Sequence, residues 1–146
     1  MNSQLIGAAG VFHVAAELSM RGMVALPTIR NVKGADILVA DPKGRRFAFI
    51  QVKTSKAKAT FWPIGERAGE WTGPDCYYAF VRRMDDRFEV FLEKAEVVAQ
   101  ESEAGDRVAA ERGCKKWAPC WAIRGQGVSE GVEDRARKQW KEFNLS

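Results

Sequence analysis

The chain has 146 residues and a mass of 16.3 kDa, 46% of it hydrophobic and 29% charged, which is a globular composition long enough to bury a core without staples. No apolar run approaches the roughly 18–20 residues that span a bilayer, and Met1-Asn2-Ser3-Gln4-Leu5 has no basic segment ahead of an apolar one, so neither a membrane helix nor a secretory leader is expected. Lysine plus arginine number 23 against 19 acidic residues, a net charge of +4 and a pI near 9.1.

Residues from about Gln4 to Arg21 predict a helix. Leu5, Ala8, Ala9, Phe12, Ala15, Ala16 and Ser19 share one face at i, i+3, i+4 spacing, and Ile6, Val14 and Leu18 widen the apolar surface, so the helix is expected to be mostly buried. Ser3 is the expected N-cap, and Gly22 fits the left-handed position after the last turn. Met23 to Pro27 predicts a short strand, Thr28 to Gly34 a polar, basic loop, and Ile37 to Ala40 a second strand. Asp41-Pro42-Lys43-Gly44 has turn chemistry. Arg46 to Lys53 then alternates Phe47, Phe49 and Gln51 with Ala48, Ile50 and Val52; both sides are largely apolar, which predicts an interior strand hairpinned to the one before it.

Thr54 to Thr60 reads as a small, basic loop leading to Phe61-Trp62-Pro63, with a helical turn or two over 66–70. Asp75 to Arg82 and Arg87 to Leu92 are strands joined by a turn, and Lys94 to about Arg112 is a second helix. The tail from Gly113 carries Trp117, Trp121 and Trp140, which suggests packing on the body, with a loop over 125–131 and a closing helix over 134–143. The order predicts one α/β domain: a mixed central sheet flanked by helices, with a tryptophan-containing C-terminal extension.

Charge is unevenly spread. Lys43 to Arg67 holds seven positive residues against one negative, a local +6, while Asp85 to Glu111 carries −6. A concentrated basic stretch is the footprint of phosphate-backbone binding, or simply a solvated lysine-rich surface. Three cysteines make no disulfide framework, and a reducing cytoplasm is the expected setting. Cys114 and Cys120 lack zinc-ribbon spacing, and Cys76 reads as a buried small hydrophobe. His13, the one histidine, reads as structural on an apolar helix. The tryptophans read as core or interface residues, Trp62 after Lys56 and Lys58 being the best candidate for base stacking. No phosphate-binding Gly-x4-Gly-Lys-Ser/Thr loop occurs.

Two segments carry the chemistry. Gly34-Ala35-Asp36-Ile37-Leu38-Val39 sets a carboxylate at the start of one strand. Phe49-Ile50-Gln51-Val52-Lys53-Thr54-Ser55 sets Gln51 and Lys53 on the same side of the next. A hairpin brings Asp36 beside them. Asp36, Gln51 and the Val52 carbonyl are hard oxygen donors suited to Mg²⁺, and Lys53 could orient a water or stabilise charge on a phosphate. The plainer reading is a hairpin with polar residues at a solvated sheet end.

With its preceding helix and strand, this pattern resembles the PD-(D/E)XK nuclease superfamily, the restriction-endonuclease-like fold shared by Holliday junction resolvases and Mrr-type restriction enzymes. The resemblance covers about Gly7 to Ser55. It implies a metal-dependent endodeoxyribonuclease with Asp36 and Gln51 as metal ligands, Lys53 as the catalytic lysine, and Mg²⁺ (or Mn²⁺ in its place) as cofactor. DNA is the implied partner, a homodimer fits double-strand cutting, and Arg30, Lys33, Arg45, Arg46, Lys56 and Lys58 are the expected backbone contacts. Two departures stand out: Gln51 replaces the commoner acid, and Val11, after Gly10, occupies the position of a first-helix glutamate. His13 and Glu17 are the nearest substitutes. The alternative is a catalytically inactive module on the same fold that binds DNA or protein; a third reading is a basic surface for another ligand.

Overall fold

The computed structural model describes residues 2–29, 34–55, 58–65, 68–111, 113, 119–125 and 127–145. Helix α1 (Ser3–Met20) is followed by β1 (Val24–Pro27), β2 (Ile37–Ala40), β3 (Phe47–Ser55) and β4 (Phe61–Pro63). After a 3-10 turn at Ala68–Glu70 come β5 (Cys76–Arg83), β6 (Phe88–Lys94), α2 (Ala95–Glu111), β7 (Cys120–Ala122) and α3 (Val132–Glu142). The architecture is mixed α/β. Five strands form one sheet in the order β1-β2-β3-β5-β6, with β3 and β5 parallel and the other pairs antiparallel, and helices flank it. β4 and β7 make a separate antiparallel pair that was not expected, since three residues carry too little pattern to announce a strand. No described helix is long and apolar enough to cross a membrane.

Asn2, not Ser3, caps α1, its side chain accepting the Gln4 N–H at 2.9 Å. Gly22, φ +86°, ends the helix as expected. The buried face of α1 is a correction. Ile6, Gly10, Val14 and Leu18 face inward with Ala15, while Leu5, Ala8, Phe12, Ala16 and Ser19 are exposed. The helix is apolar all round, so periodicity alone could not choose a face. Gly10 chooses it: a Cβ there would lie 1.9 Å from Thr54 Oγ1, so only glycine lets the helix approach β3 this closely.

Two apolar cores lie on opposite faces of the sheet. Under α1, Val14, Ala15 and Leu18 pack on Ile37, Val39, Ala48, Ile50, Val52, Ala79 and Val81. On the other face Trp62, Trp121, Tyr78, Phe80 and Phe91 pack with Ala95 and Val98 of α2. Trp62 is 1% exposed, donates its indole N–H to the Val81 carbonyl, and is therefore a core residue and no base-stacking platform. Trp121 and Trp140 are also buried; Trp117 falls outside the described residues. β3 is central in the sheet, but Phe47 and Phe49 are exposed, because α2 packs over β5 and β6 and leaves the β1–β3 half of that face open.

α3 closes the molecule with Val132, Ala136 and Trp140 buried and with paired charges around them. Glu17 of α1 accepts from the Trp140 indole N–H at 3.0 Å and pairs with Arg21 at 3.3 Å, and the Arg21 guanidinium lies 4.3 Å over the Trp140 ring. Nearly buried Glu93 of β6 is held by Arg135 and Gln139 of α3 at 2.7 and 3.0 Å, so that carboxylate is not left unpaired.

Candidate functional site

The site grows from the β2–β3 hairpin. Ile37 pairs with Ile50, and continuing that antiparallel register by one residue sets Asp36 opposite Gln51. The backbone of Asp36 is pinned from both sides: its N–H donates to the Ile50 carbonyl at 2.8 Å, and its carbonyl accepts from Thr28 N–H at 2.9 Å. Thr28 Oγ1 also donates to the Ala35 carbonyl at 2.6 Å. The strand start is thus held between β3 and the segment that leaves β1.

The Asp36 carboxylate turns toward β3, where Oδ2 accepts the Val52 N–H at 2.7 Å. In a strand the N–H and C=O of one residue point to the same side, so the Val52 carbonyl also faces the Asp36 edge. Burial pushes the Asp36 carboxyl above its usual value, while the Val52 hydrogen bond and the nearby charge of Lys53 pull the other way. This is a half-buried carboxylate with one backbone donor and a cation close by.

Gln51 and Lys53 alternate with Ile50 and Val52, which pack under α1, so they stand on the opposite face of the sheet. Beside them on that face, on β5, stand Tyr78, in register with Gln51, and Phe80, in register with Lys53. Burial pushes the Tyr78 hydroxyl up to about 12. Trp71 forms a wall. Its ring meets Tyr78 edge-on at 5.0 Å, and a Cβ on Gly34 (φ +80°) would come within 2.3 Å of it. The indole therefore touches the turn that delivers Asp36 and the strand partner of Gln51. Sequence reasoning left Trp71 as a core or interface residue, with no local signal for its contact with Gly34.

The first helix adds no carboxylate here. Val11 packs against the α1-side core, and Glu17 is committed to Arg21 and Trp140, with Oε1 3.0 Å from His13 Nε2. His13 also rests against Phe88, ring centroids 5.0 Å apart. Among the described residues no group of three or more His, Cys, Asp or Glu side chains could hold a metal ion. The donor set at the hairpin is one carboxylate, one amide and one main-chain carbonyl. Such hard oxygens fit Mg²⁺, which keeps several waters and takes phosphate oxygens, though a single negative charge makes for weak affinity.

Among the described residues, the expected phosphate contacts lie toward the two ends of β3. Arg30, Lys33 and Lys56 lie outside the described residues. Lys58 is exposed, 4.0 Å from the exposed Asp85. Arg45 and Arg46 are exposed at the opposite end of β3, seven strand residues from Lys53, roughly 23 Å away. Their backbone N–H groups both donate to Asp41 Oδ1, at 2.6 and 2.7 Å. The hairpin places these two arginines at the far end of the strand from the loop after Lys53. Cys76 is half-buried and its thiol is pushed up by burial, which does not suit a nucleophile. Cys114 lies outside the described residues.

No protein-family model matches the chain, and no curated protein matches it. Among solved structures it is similar to a bacterial homing endonuclease. The two share 16% identity and a TM-score of 0.45 over 66% of this chain and 67% of the other, a likeness too loose to establish a shared fold.

Proposed function

We propose that the chain is a metal-dependent endodeoxyribonuclease of the PD-(D/E)XK type, hydrolysing phosphodiester bonds at the β2–β3 hairpin. The observation that carries this is the Asp36 carboxylate on the Val52 N–H, beside the strand that bears Gln51 and Lys53. Asp36 Oδ1, the Val52 carbonyl and the Gln51 amide oxygen would hold Mg²⁺. The bound ion would polarise the phosphodiester and lower the pKa of a water. The chain's own contribution is positioning and charge. The Lys53 ammonium, on the same face as Gln51, orients the attacking water or meets negative charge as it develops on the phosphate. The water oxygen bonds to phosphorus and gives up a proton to solvent, while the bond from phosphorus to the leaving sugar oxygen breaks and that oxygen takes a proton from solvent. Arg45 and Arg46, about 23 Å from Lys53, lie within one turn of a B-form duplex and would contact phosphates away from the cut. A homodimer, which would bring a second site for the second strand, is part of this reading.

The second reading is a catalytically silent module of the same architecture that binds DNA or protein. Among the described residues Asp36 is the one carboxylate at the Gln51–Lys53 end of the hairpin, with neither Val11 nor Glu17 supplying another, and this favours it.

Cleavage of supercoiled and branched DNA with Mg²⁺ or Mn²⁺ separates the two. The nuclease reading expects nicking by the wild type that is lost in Asp36→Ala and in Lys53→Ala. No cleavage, with DNA binding that weakens steeply as salt rises, would establish the silent module. Neither binding nor cleavage would overturn both as DNA readings.

A further inference from the structure

We propose that the outer face of α1 is an interface with a second copy of this chain. The proposal does not depend on the nuclease reading. A surface helix is ordinarily polar on its outer side. Here the inner ridge Ile6, Gly10, Val14, Leu18 sits on the sheet, and the opposite ridge Ala8, Phe12, Ala16, Met20 is exposed and equally apolar. Phe12 is 65% exposed, Met20 88% and the adjoining Leu5 61%. The helix's one acidic side chain, Glu17, is drawn to the flank by Arg21 and Trp140, so the outer ridge carries no charge.

The ridge's own pattern selects the occupant. Its residues are four apart, the row that interdigitates when two helices cross, and they alternate small, large, small, large. Place an antiparallel copy so that the twofold axis passes between Phe12 and Ala16. Phe12 then faces the partner copy's alanine at 16, and Met20 faces its alanine at 8. Every large side chain of the ridge meets a small one, as a self-complementary twofold contact requires. A neutral ridge also lets two copies of a chain with net charge +4 approach without repulsion at the contact. A lipid surface would call for basic residues flanking the apolar stripe, and α1 offers only Arg21, already engaged with Glu17 and the Trp140 carbonyl.

One 18-residue helix is about 27 Å long, so the contact is smaller than the roughly 800 Å² per partner of a standard interface and the dimer should be weak. The test is sedimentation equilibrium of the full chain up to about 100 µM, the range a small interface calls for. The wild type should dimerise reversibly. Phe12→Glu and Ala16→Glu should each be monomeric throughout, with unchanged far-UV circular dichroism; Ala8→Glu replaces either one that fails to fold. Mixing Phe12→Lys with Ala16→Glu should restore a heterodimer, because residues 12 and 16 face each other across the axis. A wild type that stays monomeric, dimers that survive both glutamates, or a mixture that fails to pair would each overturn the proposal. So would a monomer that binds neutral lipid vesicles through Phe12.

Discussion

Asp36 and Asp41 bracket the same four-residue strand, β2, and have opposite fates. Asp41 Oδ1 accepts two backbone N–H groups, from Arg45 and Arg46, and these hold its carboxyl below the usual range. Asp36 accepts one, from Val52, and burial holds it above that range. The first carboxylate closes a turn and has its charge met by the backbone. The second is half-buried with acceptor capacity left over beside Gln51 and Lys53. A carboxylate whose charge the fold does not fully meet is the one available for chemistry.

The sharpest break of this comparison is catalytic. Asp36→Asn should reduce metal-dependent DNA cleavage by about 10²–10³-fold, the scale of removing one group that stabilises transition-state charge, while Asp41→Asn leaves cleavage per folded molecule unchanged. Equal losses in single-turnover assays would mean the two ends do not differ in role. Next in size, Gly10→Ala strikes the Asp36 end from above by driving a methyl group into Thr54. Chemical denaturation should show a loss of about 1–3 kcal/mol, partly recovered in the double variant with Thr54→Ala. Unaltered stability would show that α1 can lift off β3 at no cost.

Trp71→Ala should lower single-turnover cleavage by about three- to tenfold by loosening the turn at Gly34, with Trp71→Phe recovering part of it. Equal rates in all three proteins would remove Trp71 from the site. The smallest effect is on stability and has opposite signs at the two aspartates. Asp36 has a raised carboxyl, so its contribution to stability is fully present below its unfolded value and is lost as pH rises through the folded one. Asp36→Asn should therefore raise Tm at pH 7, and the gain should vanish on acidification. Asp41 has a lowered carboxyl, so its contribution is present above the unfolded value and is lost as pH falls through the folded one. Asp41→Asn should lower Tm at pH 7, by an amount that shrinks in acid. Thermal melts across pH 3–7 check both signs.

Much of this hairpin was legible in the residues. Asp-Pro-Lys-Gly announced its turn, the alternation of Phe47 to Val52 announced β3, and the two-residue period put Gln51 and Lys53 on one side. The β4–β7 pair was not legible, because strands of three residues owe their existence to a distant partner and to the Trp62–Trp121 contact. Trp71 was equally silent, since its role depends on Gly34, which lies 37 positions away in the chain.

By itself, then, the sequence determined the order of the helices and of the five central strands, the hairpin and the closeness of Asp36, Gln51 and Lys53, because local periodicity and turn chemistry act over a few residues. Only the tertiary structure decided which face of α1 is buried, since a helix apolar all round has no preferred side until a neighbour such as Thr54 demands a glycine. It also decided that Arg45 and Arg46 stand at the far end of β3 and that Glu17 belongs to Trp140. Those outcomes depend on contacts between residues distant in the chain, which no local pattern encodes.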